Sequence, residues 1–405
     1  RLLRDENLHQ KYQSKIEEHV NKGYATKLTD EEVATTSAKT WYLSHHPVFH
    51  PAKPGKVRVV FDAAAKHEGT SLNDNLLHGP NLANDMIAVL LRFRKEKIAV
   101  MADIQEMFLQ VRVPIEQRQS LRFLWFTSNL DEPPETYHMN VHIFGAKDFP
   151  SIANFALQKT AKDNAGEGKE ELVEVVQKDF YVDDLLKSVT TEDKAIQLLN
   201  DLIKLLEKGG FRLTKFASTS KRVLLAFPAS ERANSSLNLD LDKLPTERAL
   251  GIQWNVENDV FQFRVIDVDK AETKRRILST VASLFDPLGF IAPVSLLVKS
   301  LLQKLWQRKL TWDQQLPEEE LHCWRRWKDE LQYLSNVNIP RCYKSKAKEV
   351  ESTVNKRVKD IQLHNFSDAS EKGYGSASYV RTEFTDGSVI CSLVFGKSRT
   401  SPLRK

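Results

Sequence analysis

The sequence predicts an α+β protein with an antiparallel sheet and a separate helical region. Two observations indicate the sheet: a nearly continuous apolar run at residues 97–103 that ends in Asp103, and apolar segments on both sides of Asp183-Asp184. Such runs are typical of buried strands. A third observation, the helical spacing of apolar residues over residues 271–335, indicates that helices dominate the later part of the chain.

The composition narrows the class of protein. A chain of 405 residues with 41% hydrophobic and 28% charged residues is expected to form two or three domains of an ordinary soluble protein. No stretch of about 18 apolar residues predicts a membrane span. The three cysteines are scattered, which argues against a disulfide framework and a zinc site and favours a reducing compartment. The chain begins at Arg1 without a Met or a signal peptide, so we expect a fragment of a longer protein.

The individual elements follow from periodicity and turn residues. Helical spacing starts at His9 and ends near Gly23, and turn formers between residues 46 and 55 predict a loop-and-strand region before a strand at 56–61. The remaining predicted elements are, in order, a strand at 97–103, paired strands at about 175–189, a helix at 190–208 capped by Thr190 and Asp193 and ended by Gly209-Gly210, strands at 211–216 and within 247–266, helices within 271–335 with breaks at 286–289 and 292–293, a lysine-rich linker at 344–360, and strands at 361–367, 373–380 and 388–395.

The net charge of +5 is concentrated in one stretch. Residues 299–360 hold 14 Lys and Arg against 9 Asp and Glu, so the rest of the chain is neutral. A basic stretch with interleaved aromatic residues can follow phosphates and stack on bases. The alternative is a pair of amphipathic helices with a solvated basic face and tryptophans in the core. The sequence leaves both interpretations open for Trp306, Trp312, Trp324, Trp327, Tyr333 and Tyr343.

The aspartates suit phosphoryl transfer assisted by two metal ions. Such a reaction uses two ions about 3.5–4 Å apart, which clamp the attacking and leaving oxygens. Mg²⁺ prefers oxygen ligands, usually one or two carboxylates completed by phosphates and water. Asp103 at a strand end and Asp183-Asp184 at or beside a hairpin tip meet this need if their strands are neighbours. The Asp-Asp pair alone is weak support, because adjacent acids are frequent at exposed turns.

Five motifs in order resemble reverse transcriptases. Tyr181-Val182-Asp183-Asp184 looks like the Tyr-x-Asp-Asp signature of that family, and Asp103 followed by Phe108 looks like its first palm motif. The other three matches are the strand Arg58-Val59-Val60-Phe61-Asp62, the loop Phe144-Gly145-Ala146-Lys147-Asp148-Phe149-Pro150 and the segment Gly210-Phe211-Arg212-Leu213-Thr214-Lys215.

Further segments resemble the Bel/Pao class of long-terminal-repeat retrotransposons, over nearly the whole chain. They are Trp41-Tyr42-Leu43-Ser44-His45-His46-Pro47, Ser71-Leu72-Asn73-Asp74, residues 284–293 and residues 363–370. The resemblance implies a right-hand polymerase fold of fingers, palm and thumb. The expected segments are an N-terminal helix and fingers at 1–100, the palm with part of the fingers at 101–216, a thumb and connection region at 217–358, and an incomplete ribonuclease H-like domain at 359–405.

The resemblance also implies roles for single residues. Asp103, Asp183 and Asp184 would be catalytic, and together with the Ile104 carbonyl they would bind two Mg²⁺ ions; the same ligands suit Mn²⁺. Phe108 would act as a steric gate against a ribose 2′-OH. The nucleotide-binding set implied by the resemblance is Arg58, Phe108, Gly145 and Lys215.

Some residues depart from the family pattern or stay unassigned. Phe144 stands where many retroviral enzymes have Gln, and Phe149 where a Ser usually precedes Pro, so fidelity cannot be carried over. His45, His46 and His50 lack the spacing of zinc ligands, and we expect a loop that contacts template or plain turn residues.

The last segment resembles the start of a ribonuclease H domain, with Asp368 as its first metal ligand. That chemistry needs several converging carboxylates. Asp386 lies in a predicted turn and is no convincing substitute, so we expect no ribonuclease H activity from this fragment alone.

The resulting hypothesis is an RNA-directed DNA polymerase from a retrotransposon polyprotein. Its partners would be an RNA template, a DNA primer, dNTPs and other polyprotein products such as a protease and an integrase, with no membrane involved. It would act in the cytoplasm, in a virus-like particle, with access to the nucleus. Two alternatives stay open: a catalytically dead or co-opted nucleic-acid-binding protein, and an unrelated phosphotransferase in which Asp103 and Asp183 share no sheet contact.

Overall fold

The computed structural model describes residues 5–50, 53–126, 132–264, 272–343 and 357–402. The helices are α1 (Glu6–Asn21), α2 (Asp30–Ala34), α3 (Met86–Phe93), α4 (Phe149–Asn164), α5 (Glu170–Lys178), α6 (Glu192–Glu207), α7 (Lys221–Leu225), α8 (Lys274–Ser283), α9 (Ala292–Gln307) and α10 (Glu318–Glu330). The strands are β1 (Ala25–Lys27), β2 (Ser44–His50), β3 (Lys53–Asp62), β4 (Ile98–Ile104), β5 (Arg122–Trp125), β6 (Glu135–Met139), β7 (Phe180–Tyr181), β8 (Asp184–Val189), β9 (Leu213–Ser218), β10 (Thr246–Ala249), β11 (Ile252–Asn255), β12 (Val260–Gln262), β13 (Ile339–Pro340), β14 (Val358–Ala369), β15 (Gly373–Phe384) and β16 (Val389–Thr400).

The chain forms two compact units. The first unit comprises the described parts of Arg1–Ala83, Ile104–Gln177 and Asp201–Leu213, and the second comprises those of Asn84–Asp103, Lys178–Asn200 and Thr214–Lys405. The mixture of helices and antiparallel sheets confirms the predicted α+β class. The division into fingers, palm, thumb and connection stays a prediction.

The first unit is built on two small sheets and their shared core. One sheet has the order β1-β6-β5, and β2 pairs with β3 in a hairpin. The core contains several buried aromatic residues, among them Tyr12, Phe61, Phe123, Trp125 and Phe149. In the region predicted as loop and strand, residues 46–50 lie in β2, and β3 begins at Lys53, earlier than the strand start predicted at 56. Strand pairing with β3 outweighs the local turn tendency of Pro47, which lies opposite Val59.

The second unit contains three sheets and the later helices. The sheet orders are β7-β8-β4-β9, β10-β11-β12-β13 and β14-β15-β16. A separate core between α8, α9 and α10 holds Ile277, Leu305, Trp324 and Trp327 among others. The predicted strands at 97–103, 361–367, 373–380 and 388–395 and the helical region at 271–335 are confirmed. Residues 344–356 of the predicted linker lie outside the described residues, and the prediction is wrong for residues 358–360, which belong to β14 because they pair with β15.

Two sequence segments within the second unit meet in a close backbone contact. A Cβ atom added at Gly289 would lie 1.7 Å from the carbonyl oxygen of Gly396 on β16. The Gly396 amide donates to the Leu288 carbonyl at 2.8 Å. Asp286 shapes the turn by accepting from the amides of Phe290 at 2.9 Å and Ile291 at 2.8 Å. The predicted break at 286–289 is therefore a packing contact with the sheet.

Candidate active site

Three aspartates converge on neighbouring strands of the four-stranded sheet. β4 pairs antiparallel with β8, and the register places Asp103 directly opposite Asp184. Opposed residues of an antiparallel pair project on the same face with Cβ atoms about 4.5–5.5 Å apart. Asp183 precedes Asp184 in the turn of the β7–β8 hairpin. This pairing is what the polymerase hypothesis requires, and it argues against an unrelated phosphotransferase.

The hairpin that carries the acids is short and strained. Its first arm is only Phe180–Tyr181, because Val175 to Lys178 belong to helix α5 and not to the predicted strand. The buried residues Leu172, Val175 and Val176 give α5 its apolar face. Val182, between the two arms, has a φ of 57°. A β-branched residue in this left-handed region is a genuine outlier, and such strain often occurs at functional sites.

A buried carboxylate anchors the base of this hairpin. The Asp179 side chain is only 2% exposed, and it pairs with Arg92 Nε at 2.9 Å and Lys187 Nζ at 2.6 Å. Its backbone carbonyl accepts from the Leu186 amide at 2.9 Å. Asp179 was not among the residues predicted from the sequence. The pattern that could have indicated it is the opposite charge of Asp179 and Lys187 on the two sides of the predicted hairpin.

The convergence of charge is visible at Asp184. Burial, then the charges of Asp183 and Asp103, raise its pKa to about 7, while Lys215 acts in the opposite direction. Burial and the repulsion from two neighbouring carboxylates therefore oppose the ionisation of Asp184. A cation at this position would relieve the repulsion.

Lys215 is the residue that the structure brings to the acids from the third strand. Its Nζ lies 2.8 Å from Asp103 Oδ1. Its φ of 56° places it in the left-handed region within β9, where its neighbours Thr214 and Phe216 are buried and Lys215 is exposed. Such a local irregularity can re-aim a side chain. The family resemblance assigns Lys215 to the nucleotide site, and the structure places its Nζ beside Asp103.

The donor set fits a hard divalent cation. In the described ranges, no three His, Cys, Asp or Glu side chains are clustered tightly enough to form a ready-made metal site. However, Asp103, Asp183 and Asp184 offer only oxygen ligands, which Mg²⁺ prefers. The repulsion that Asp183 and Asp103 exert on Asp184, which lies opposite Asp103, is the observation that favours a bound cation. The three carboxylates, with the Ile104 carbonyl next in the chain, are the groups that would hold it.

Phe108 belongs to the first unit, in an aromatic cluster. Its ring centroid is 4.8 Å from that of Phe144 and 4.2 Å from that of Phe149. The two residues that depart from the family pattern are thus the ones that pack around Phe108. The departures form one aromatic group, which supports the Phe108 ring from two sides.

Residue 145 must be a glycine because its loop passes very close to strand β3. Its φ is 107°, and a Cβ atom there would lie 2.5 Å from the Phe61 carbonyl oxygen at the end of β3. Asn73 holds the same loop, because its amide donates to the Gly145 carbonyl at 3.0 Å and accepts from the Lys147 amide at 2.9 Å. Arg58 lies exposed on β3, opposite Val48.

His45 is a core residue and not part of a loop. It hydrogen-bonds to the Tyr12 hydroxyl and to the Leu124 carbonyl, the latter at 2.9 Å. Burial lowers its pKa. The expectation that this histidine contacts template from a loop or sits in a plain turn is therefore wrong, because strand β2 carries it into the aromatic core beside Phe61 and Trp125.

The aromatic residues of the basic stretch divide between the two interpretations. Trp324 and Trp327 are buried and stacked, as the amphipathic-helix interpretation predicts. Trp306, Trp312 and Tyr333 are exposed. Trp306 and Trp312 enclose the Lys274 ammonium, which lies 3.7 Å and 4.8 Å from their ring centroids.

Asp368 has different surroundings from the other three aspartates. It lies near the end of β14, opposite Gly375 on β15. The shallow cavity beside it is lined by Tyr374, Lys397 and Arg399 among others, without a second carboxylate among its lining residues. Asp386 accepts from the Ser388 amide at 2.9 Å in the turn between β15 and β16.

Comparison with known proteins gives a consistent family of relatives. Residues 273–405 match the model of the Pao retrotransposon-like RNaseH-like domain. No curated protein matches the chain. None of the helices in the described ranges combines the length and apolar character that a membrane crossing requires.

Solved structures of foamy viral protease-reverse transcriptases share the fold. The dRH form in complex with double-stranded DNA is 14% identical with a TM-score of 0.57, covering 95% of this chain and 54% of its own. The complex with an RNA/DNA hybrid is 13% identical with a TM-score of 0.54, covering 96% of this chain and 42% of its own. A further complex with double-stranded DNA is 14% identical with a TM-score of 0.56, covering 98% of this chain and 67% of its own. The chain therefore spans about half the length of the first of these proteins. Residues 273–405 therefore resemble a Pao retrotransposon-like RNaseH-like domain, and the chain shares its fold with these reverse transcriptase structures.

Proposed function

We propose that the chain is an RNA-directed DNA polymerase of a Bel/Pao-type retroelement, which extends a DNA primer on an RNA or DNA template. The observation that carries the proposal is the register of β4 and β8, which sets Asp103 opposite Asp184 with Asp183 at the hairpin turn. The structural relatives are complexes with double-stranded DNA and with an RNA/DNA hybrid, and the proposal extends this type of ligand to the chain.

The aspartates would carry the catalytic chemistry. Two Mg²⁺ ions, or Mn²⁺, held by Asp103, Asp183, Asp184 and the Ile104 carbonyl would neutralise charge on the attacking and leaving oxygens. The short hairpin fixes its two acids on a rigid sheet, which suits a site that must hold its ligands to within a fraction of an ångström. Lys215, already paired with Asp103, would exchange this partner for a nucleotide phosphate.

Residues of the first unit would select and orient the nucleotide. The Arg58 guanidinium, exposed on β3, offers a planar fork for phosphate oxygens. Phe108 would exclude a 2′-OH, supported by Phe144 and Phe149. Gly145 would let the loop approach β3 closely enough to form the floor of the site.

Primer extension tests the proposal. The wild-type protein, an RNA template with an annealed DNA primer, dNTPs and Mg²⁺ should give extended products. Asp183→Asn should lower the rate by at least about a thousandfold, a loss of roughly 4 kcal/mol in transition-state stabilisation. The matched control is Asp163→Asn, which removes a carboxylate paired with Lys159 on the exposed side of α4.

Two outcomes would count against the proposal. If wild type and Asp183→Asn extend equally poorly while both bind the hybrid, the chain is a nucleic-acid-binding protein without polymerase activity. If Asp163→Asn loses as much activity as Asp183→Asn, the loss reflects general charge removal and not the candidate site.

A further inference from the structure

The turn that follows Asp103 is tied to the N-terminal segment through one carboxylate. Glu106 accepts from Lys22 Nζ at 3.0 Å and from the Tyr24 hydroxyl at 3.1 Å. Lys22 and Tyr24 lie between α1 and β1, far from Glu106 in sequence. Gln110 extends the connection, because its side-chain amide donates to the Tyr24 hydroxyl at 3.0 Å.

This turn adopts an unfavourable backbone conformation. Glu106 has φ 48° and ψ 38°, in the left-handed region that residues with a side chain rarely adopt. Such a conformation persists where the surroundings over-determine it. Its carbonyl accepts from the Leu109 amide at 2.8 Å, so the strained residue begins the single helical turn Met107–Gln110. Side-chain contacts from Lys22 and Tyr24 to the Glu106 carboxylate, and from the Gln110 amide to the Glu106 carbonyl at 3.4 Å, hold it.

The helical turn carries Phe108. Met107 is 1% exposed and fixes one side of the turn in the core, while Phe108 packs on Phe144 and Phe149. A shift of Glu106 would therefore move Phe108 relative to its aromatic neighbours. Selection against a 2′-OH by a ring depends on position at the level of an ångström, so a small shift is sufficient to change it.

We propose that Glu106, held by Lys22 and Tyr24, is a positioning residue that fixes the Phe108 ring and thereby sets the preference for deoxyribonucleotides over ribonucleotides. This inference rests on the proposed polymerase function and adds to it a group of residues outside the nucleotide site. The N-terminal segment would then control sugar selection without touching the nucleotide.

The chain offers a matched control in the same unit. Glu135 accepts from the Tyr137 hydroxyl at 3.0 Å and pairs with Lys27. This group repeats the combination of Lys, Tyr and Glu, and it joins β1 to β6 where Lys27 lies opposite Tyr137. Within the described parts of the chain, no hydrogen bond, ion pair or ring contact joins this group to the Met107–Gln110 turn. Removing the hydroxyl of Tyr137 is therefore the same chemical change at a place that should not affect Phe108.

The experiment compares Tyr24→Phe and Glu106→Gln with Tyr137→Phe and Glu135→Gln. Single-nucleotide extension opposite a template adenine is measured with dTTP and with UTP, and the ratio of the two kcat/KM values is the readout. We expect each of the first two variants to raise relative UTP use about tenfold, a change of roughly 1.4 kcal/mol between the two sugars. The two controls should stay within about twofold of wild type.

A double variant tests the route through Phe108. Phe108→Ala should itself raise UTP use, and adding Tyr24→Phe to it should give no further increase, because contacting residues that act through one another are not additive. Full additivity would overturn the inference, as would equal ratios for Tyr24→Phe and Tyr137→Phe.

A readout independent of catalysis separates this inference from the proposed function. Amide hydrogen exchange at residues 105–110 should be faster in Tyr24→Phe than in wild type, and unchanged in Tyr137→Phe. Unchanged exchange in Tyr24→Phe would overturn the positioning role even if the enzyme is active. If exchange is faster in Tyr24→Phe but the wild-type protein extends no primer, the proposed function is overturned, and the sugar preference with it.

Discussion

The two places where the sequence suggested catalytic carboxylates differ in how the sheet surrounds them. Asp103 and Asp184 lie on adjacent strands near the middle of a four-stranded sheet. Asp368 lies on β14, the end strand of its sheet, and every residue of β14 is exposed. The first site has a carboxylate directly across the strand pair and a buried anchor at Asp179, whereas Asp368 lies opposite Gly375. Similar motif residues thus mark a converged site in one case and an isolated carboxylate in the other.

The largest expected effect is on the free energy of unfolding, and it comes from Asp179, the buried carboxylate that anchors the β7–β8 hairpin. Asp179→Asn removes the charge that Arg92 and Lys187 share in a nearly fully buried position. We expect a loss of about 3 kcal/mol in the free energy of unfolding, at the low end for a broken buried ion pair since both cations reach solvent. Urea denaturation measures it.

The control lies in the sheet of Asp368. Glu383→Gln breaks the exposed pairs with Lys359 and Arg381, and little change in stability is expected. Equal effects of Asp179→Asn and Glu383→Gln would remove the distinction between the two sheets.

The second expected difference concerns Mg²⁺ binding. At a Mg²⁺ concentration 100 times the dissociation constant, binding to the folded state should stabilise the wild type by about 2.7 kcal/mol. Asp103→Asn should lose most of this gain, whereas Asp368→Asn should keep it. Thermal unfolding with Mg²⁺ and with EDTA gives the comparison. A gain that depends on Asp368 and not on Asp103 would reverse the assignment of the two sites.

The smallest expected effect concerns hairpin strain. Val182→Gly should raise the free energy of unfolding by about 0.5–1 kcal/mol, because the relief of the positive φ outweighs the added freedom of the unfolded chain. Polymerase activity should fall, since the acids next to it lose a fixed position. Val358→Gly on β14 is the counterpart without a positive φ, and it should destabilise. A loss of stability in both variants would show that Val182 is not strained in solution.

Much of the candidate site could be predicted from local sequence. The apolar run ending in Asp103 predicted β4, and the Asp183-Asp184 pair was placed at a hairpin because apolar residues flank it. The pattern does not decide that these two strands pair, because their separation in the sequence is closed only by tertiary structure; within the pair, a one-residue slip would turn the apolar faces outward. The assignment of Lys215 to the nucleotide site came from the family resemblance, whereas its ion pair with Asp103 and its left-handed conformation within a strand carry no signal in the sequence.

The remaining features depend on tertiary contacts. His45 lies in a segment rich in prolines, and only the packing of β2 against Tyr12 shows that it is a core residue. The exposure of Trp306 and the burial of Trp324 likewise depend on which helix faces meet, which the alternation of basic and aromatic residues does not reveal. Asp179 was not predicted, because an acid before a hairpin resembles an ordinary turn residue unless the positions of Arg92 and Lys187 are known.

The contact between Gly289 and Gly396 has a consequence for how genomic copies of a retroelement, the origin proposed for this chain, lose function. Every single-nucleotide missense change of a glycine codon introduces a residue with a Cβ atom. A Cβ at Gly289 would lie 1.7 Å from the Gly396 carbonyl oxygen, and one at Gly396 would lie 2.6 Å from the Gly289 carbonyl oxygen. Neither codon therefore has a tolerated missense neighbour in the genetic code. These two positions should record the loss of selection on a genomic copy at least as early as the three candidate aspartates, for which an exchange of Asp for Glu leaves a carboxylate in place.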